Sequence, residues 1–111
     1  GGSYTMIYQL GVASYLTKHY DINKINWYGC SAGTLAILMM FISPPNETFK
    51  LYLDIVNGMK NLIEKDPFNL NNYNLTERHF DAFKIINQKY PEEYKKVDGK
   101  KMFEQHYFKN R

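Results

Sequence analysis

The stretch from Ala32 to Ile42 constrains this chain more than any other. It is apolar on nearly every side, with Leu35, Ile37, Leu38, Met39, Met40 and Phe41, so a helix formed here has no solvent face and must be deeply buried. It is too short to cross a membrane, which takes roughly 18 consecutive apolar residues. The sequence Ser43-Pro44-Pro45-Asn46 ends it.

The spacing of apolar residues around this run predicts further helices. From Tyr4 to His19, Ile7, Leu10, Ala13 and Leu16 recur every three residues and define a first helix. Asp21 and Asn23 mark a turn, and Ile25-Asn26-Trp27-Tyr28 is a short β-favouring run that reads as a buried strand ending at Gly29. Phe49, Leu53, Val56, Met59 and Ile63 alternate steps of three and four, which predicts an amphipathic helix from about Glu47 to Glu64. Asp66-Pro67 and the asparagines at 69, 71, 72 and 74 predict a loop, with Thr76 capping a helix that carries Phe80, Phe83 and Ile86. Pro91 interrupts that helix, a short helical turn follows to Val97, and Asp98-Gly99 signals a tight turn. The last ten residues show neither a two-residue nor a helical period.

A length of 111 residues fits one domain, and 44% hydrophobic content with ten Tyr and seven Phe supplies a core. The net charge of +3 is dispersed. Lys95, Lys96, Lys100, Lys101, Lys109 and Arg111 make the C-terminal end locally basic, which reads as a solvated face before it reads as a surface for nucleic acid or anionic membrane. Tyr and Phe interleaved with Lys beyond residue 80 fit core formation better than base stacking, so no nucleic-acid partner is expected. The single cysteine, Cys30, excludes an internal disulfide framework and suits an intracellular, reducing compartment.

The chemistry concentrates in Gly29-Cys30-Ser31-Ala32-Gly33, which follows the expected strand and opens the apolar helix. A serine on a sharp strand-to-helix turn needs neighbours without bulk, and Gly29, Gly33 and the small Ala32 leave that room. The start of the helix also directs free backbone N–H groups and a partial positive charge toward the place where an oxyanion would form.

Upstream, Gly1-Gly2-Ser3, Gly11-Val12 and Leu16 precede Gly29-Cys30-Ser31-Ala32-Gly33-Thr34-Leu35. In this order and spacing the chain resembles the patatin-like phospholipase family, most clearly over residues 1 to 42 and more weakly through Asp66-Pro67-Phe68 and Lys89-Tyr90-Pro91-Glu92. The resemblance implies an α/β fold, part of a three-layer α/β/α sandwich in which a parallel strand leads into the nucleophile elbow. It also implies a serine lipid acyl hydrolase with a Ser-Asp dyad. Ser31 is then the nucleophile, Gly1, Gly2, Ser3 and Ala32 give the oxyanion donors, and Gly29 and Gly33 frame the elbow. The substrate is a lipid ester, met in the cytoplasm or at the periphery of a membrane, and no metal or organic cofactor is required.

The chain departs from the family pattern at Ser3 and Met6, where glycines are usual, and in lacking a clear Asp-Gly-Gly or Asp-Gly-Ala motif. Asp98-Gly99-Lys100 is the one candidate, but it lies nearer the serine than the family places its aspartate and follows a helical pattern, so it reads as an ordinary turn. The expectation is therefore an incomplete domain spanning 1–111, with the dyad aspartate outside it. The alternative is a non-catalytic lipid- or protein-binding relative without the general base. Cys30 is expected to pack in the interior rather than act as a nucleophile. His19, His79 and His106 lack metal-ligand spacing and are expected at the surface or at helix caps.

Overall fold

The computed structural model describes residues 5–97 and 108–109. Helix α1 runs Met6–His19, a two-residue strand β1 is Tyr28–Gly29, α2 is Ala32–Ile42, α3 is Thr48–Lys65, α4 is Leu75–Lys89, α5 is Pro91–Val97, and β2 is Phe108–Lys109. Short 3-10 turns at Ile22–Lys24 and Leu70–Tyr73 link them.

Helix α2 forms the centre because its sequence leaves no alternative. Nine of its eleven residues, from Ala32 through Ile42 apart from Gly33 and Phe41, are buried. Helices α1, α3 and α4 all pack against it, and α1 and α4 each also contact α3. The core thus unites Leu10 of α1, Leu35, Leu38 and Met39 of α2, Leu51 and Ile55 of α3, and Phe83 and Ile86 of α4.

The expected three-layer α/β/α sandwich is not what the chain forms. Among the described residues the sole strand pairing is β1 with β2, antiparallel, with Tyr28 opposite Lys109 and Gly29 opposite Phe108. A parallel sheet would need strands buried on both faces. The predicted buried strand is instead short and open, with Ile25 and Tyr28 both exposed. Helices cover the surface of α2 that a sheet would have taken, and the result is a predominantly helical protein.

Two helical stripes also differ from the reading by spacing. In α1 the buried positions are Met6, Leu10, Ala13, Ser14 and Thr17, while Ile7 is exposed. Ser14 and Thr17 can be buried because each hydroxyl donates to a carbonyl of its own helix, Gly11 and Ala13 respectively, at 2.9 Å. In α3 the stripe is Thr48, Leu51, Ile55 and Met59, and Phe49 and Leu53 face outward.

The α2–α3 corner is held by hydroxyls. Ser43 Oγ lies 2.7 Å from the Met39 carbonyl and 2.7 Å from Thr48 Oγ1, which in turn lies 3.1 Å from the Pro44 carbonyl. Each hydroxyl has one proton to give, so the two shorter contacts are made together when Thr48 donates to Ser43 and Ser43 donates to Met39. At α4, Asn74 is the cap rather than Thr76: its side chain accepts from the Glu77 N–H at 3.3 Å. Pro91 opens α5, where its missing N–H costs nothing. Lys89 of α4 pairs with Asp54 of α3, and Tyr90 donates to Glu47 at 3.0 Å. Burial, followed by the Glu47 hydrogen bond and nearby carboxylates, pushes the Tyr90 phenol up to about 12. No described helix is long and apolar enough to cross a membrane.

Candidate active site

Ser31 occupies the single residue step between Cys30 and the first turn of α2, and its backbone is unusual. With φ 55° and ψ −119° it is the one non-glycine residue of positive φ among those described. The Gly33 N–H donates to the Cys30 carbonyl at 3.0 Å. Together these define the mirror-image form of a type II turn with Ser31 in its second position, a place that favours glycine. Holding a side chain there costs about 1–3 kcal/mol and requires surroundings that over-determine it.

The surroundings do so from both sides. Downstream, the Thr34 N–H donates to the Ser31 carbonyl at 3.0 Å and ties the turn to a helix sunk in the core. Upstream, Gly29 passes so close to α2 that a Cβ placed on it would lie 2.6 Å from Ile37 Cδ1 and 3.0 Å from the backbone carbon and oxygen of Gly33. The absence of a side chain at Gly29 lets the chain reverse direction in so few residues.

This corner leaves particular groups available. Ser31 is half-buried, and its side chain forms no capping hydrogen bond with α2. Two N–H groups of the first turn, those of Gly33 and Thr34, are engaged by the turn itself. The N–H of Ala32, the first helical residue, has no acceptor within the helix and sits at the positive end of the helix dipole. Ala32 is thus the described residue whose backbone suits an oxyanion donor. Gly1, Gly2, Ser3 and Asp98 lie outside the described residues.

An apolar groove adjoins the corner. A cavity of about 250 Å³ is lined by Val12 and Leu16 of α1, by Trp27 and Tyr28, and by Gly33, Ala36 and Met40 of α2. It reaches the elbow through Tyr28 and Gly33, on either side of Ser31. The Trp27 indole N–H donates to the Ile22 carbonyl at 2.8 Å, which fixes one wall.

Two sequence expectations are corrected here. Cys30 does not pack in the interior: its thiol is exposed, because at this corner Cys30 precedes the tight turn and does not yet belong to the buried helix. His79 is neither at the surface nor at a cap. It is 4% exposed within α4, and burial lowers its pKa below the ordinary histidine value. His19 is exposed and lies against the Tyr15 ring with centroids 4.2 Å apart, while His106 is outside the described residues. Among the described residues no three His, Cys, Asp or Glu side chains gather as a metal ion would require.

No protein-family description, curated protein or solved structure matches this chain. The site therefore rests on its own geometry.

Sequence reasoning did not single out Thr34. Its hydroxyl is fully buried in the first turn of α2 and has no hydrogen-bond partner among the described residues. An unsatisfied buried hydroxyl costs about 1–3 kcal/mol. In the sequence it looked like one more position of an apolar run, and no local pattern distinguishes a bonded threonine from an unbonded one. The groove is not legible in the sequence either, because Val12 and Tyr28 become its walls only through the packing of α1 and β1 against α2.

Proposed function

We propose that the chain carries the nucleophile of a serine ester hydrolase acting on lipid acyl esters, with Ser31 as the attacking residue. The observation that carries this reading is the Ser31 backbone, a non-glycine residue held at φ 55° and ψ −119° at the start of a buried helix. Strain of this kind persists only where the fold enforces it, and it is concentrated at functional sites. The apolar groove beside the elbow, mouthed by Tyr28 and Gly33, has the chemistry to take an acyl chain.

In this reading Ser31 Oγ attacks the ester carbonyl carbon while its proton passes to an aspartate base, as the resemblance to patatin-like phospholipases implies. The carbonyl oxygen becomes an oxyanion and accepts from the Ala32 N–H. The intermediate then collapses, the C–O bond to the alcohol breaks, and the alcohol leaves with the proton returned by the base. Water repeats the sequence on the acyl-serine and frees the fatty acid. No metal and no organic cofactor takes part, and contact with a membrane is peripheral.

A second reading, a non-catalytic lipid- or protein-binding relative, draws on a different observation: no described carboxylate or imidazole is hydrogen-bonded to Ser31. Labelling with a fluorophosphonate separates the two. The hydrolase reading expects covalent labelling of the wild-type chain at Ser31 and none of Ser31→Ala. Equal labelling of both proteins removes Ser31 from the mechanism, and labelling of neither favours the binding reading.

A further inference from the structure

A second cavity, of about 710 Å³, opens on a different part of α1 and shares no lining residue with the groove beside Ser31. It lies between the C-terminal half of α1, the turn after α2 and the start of α3. Gly11 and Ser14 of α1 line it together with Tyr15, Lys18, Asn46 and Phe49. The volume falls within the range of roughly 300–1,000 Å³ typical of small-molecule sites.

The chemistry of the lining is lopsided. Tyr15 and Phe49 leave 57% of their surfaces exposed, an apolar area that a ligand body could cover. The Tyr15 ring is braced by His19 and the Phe49 ring by Tyr52, at centroid distances of 4.2 and 6.0 Å. Among the described residues no carboxylate lines the cavity. Lys18 is exposed and forms no ion pair with any described residue. Ser14 has already given its proton to the Gly11 carbonyl, and the donors left on the described lining are the Lys18 ammonium, the Asn46 amide, the Tyr15 hydroxyl and the His19 ring, of which Lys18 alone carries a fixed positive charge. A cationic head placed beside Lys18 would meet a like charge.

We propose that this cavity binds a small amphiphilic anion, its apolar body between Tyr15 and Phe49 and its carboxylate or phosphate monoester head on Lys18 and Asn46. The site is independent of the reaction at Ser31. Gly11 lines the cavity, and a Cβ there would lie 3.4 Å from Tyr52 Oη, so a large side chain at this position meets α3 at the cavity's edge.

Calorimetric titration of the full chain tests this, with octanoate, octyl phosphate and octyltrimethylammonium kept below their micelle concentrations. The expected result is saturable binding of an anion, at a site that depends on Lys18, and none of the cation there. Tighter octanoate points to fatty-acid anions, and tighter octyl phosphate to phosphate esters. Lys18→Gln should weaken anion binding about tenfold, the effect of losing one charged hydrogen bond. Gly11→Leu, which should be at least as helical as the wild type, should abolish binding. Failure of both anions to bind, equal binding of the cation, or unchanged affinity in Lys18→Gln overturns the proposal. Should Gly11→Leu lose its helical circular dichroism, the exposed Lys18→Gln variant decides alone.

Discussion

Helix α2 begins and ends at a serine, and the two are in opposite states. Ser43 closes the helix in ordinary extended backbone, φ −92° and ψ 143°, is 4% exposed, and places its hydroxyl between the Met39 carbonyl and Thr48. Ser31 opens the helix in a conformation suited to glycine, is half-buried, and makes no capping bond. One hydroxyl is consumed by the fold, whereas the other makes no capping bond and sits on a backbone that the fold holds at a cost. The same residue type on the same helix shows that an unengaged hydroxyl is a property of the corner and not of serine.

If that contrast is right, damage to the strained end should begin at Gly29. Gly29→Val is expected to give the largest effect, a loss of about 2–3 kcal/mol, because the new side chain meets the Gly33 backbone as well as the movable tip of Ile37. Denaturant melts measure it, and an unchanged midpoint would show that the corner is loose and the Ser31 conformation not enforced. At the bonded end, Thr48→Val keeps the shape and removes one partner of Ser43. A loss of about 1–2 kcal/mol is expected, with fluorophosphonate reactivity at Ser31 unaffected. Reactivity falling in step with stability would mean that the two ends are not separate.

The two ends were not equally legible in the sequence. The apolar run set the bounds of α2 at Ala32–Ile42, and Pro91 set the break between α4 and α5, because both signals are local and physically strong. The elbow pattern located the turn at Ser31, but the β-favouring residues before it suggested a buried strand, and Tyr28 is in fact exposed with a two-residue antiparallel partner. Pairing depends on residues far away in the chain, which composition cannot reveal. The α3 stripe departs in part for a related reason: Met59 is buried as its spacing predicts, but Phe49 and Leu53 are exposed. Spacing gives the period of a helix but not which face is inward, and buried Thr48, bonded to Ser43, takes the place expected of Phe49.

His79 tests whether a buried polar group without a catalytic position behaves like the Ser43 end. Burial lowers its pKa in the folded chain, so the unfolded chain takes up a proton first as pH falls. Stability from the neutral imidazole is present above the ordinary value of about 6.5 and is lost as pH falls through the lower folded pKa. Thermal midpoints should therefore drop below pH 6.5 in the wild type and drop less in His79→Leu. Parallel curves for the two proteins would place the titration responsible for acid loss at another group.

The smallest expected effect is the most pointed one. Replacing Ser31 by glycine removes the Cβ from a positive-φ position and so relieves strain of order 1–3 kcal/mol, but it also adds freedom to the unfolded chain, which costs about 0.4–1 kcal/mol. The balance is a small stabilisation, on the order of 1 kcal/mol, read as a higher denaturant midpoint. Ser43→Gly has no strain to relieve at φ −92° and should be destabilised by the loss of its hydroxyl contacts. Opposite signs at the two serines would confirm that the fold bears a cost to hold Ser31 where it is. Loss of stability at both would reduce Ser31 to a structural residue and remove the main support for a nucleophile at this corner.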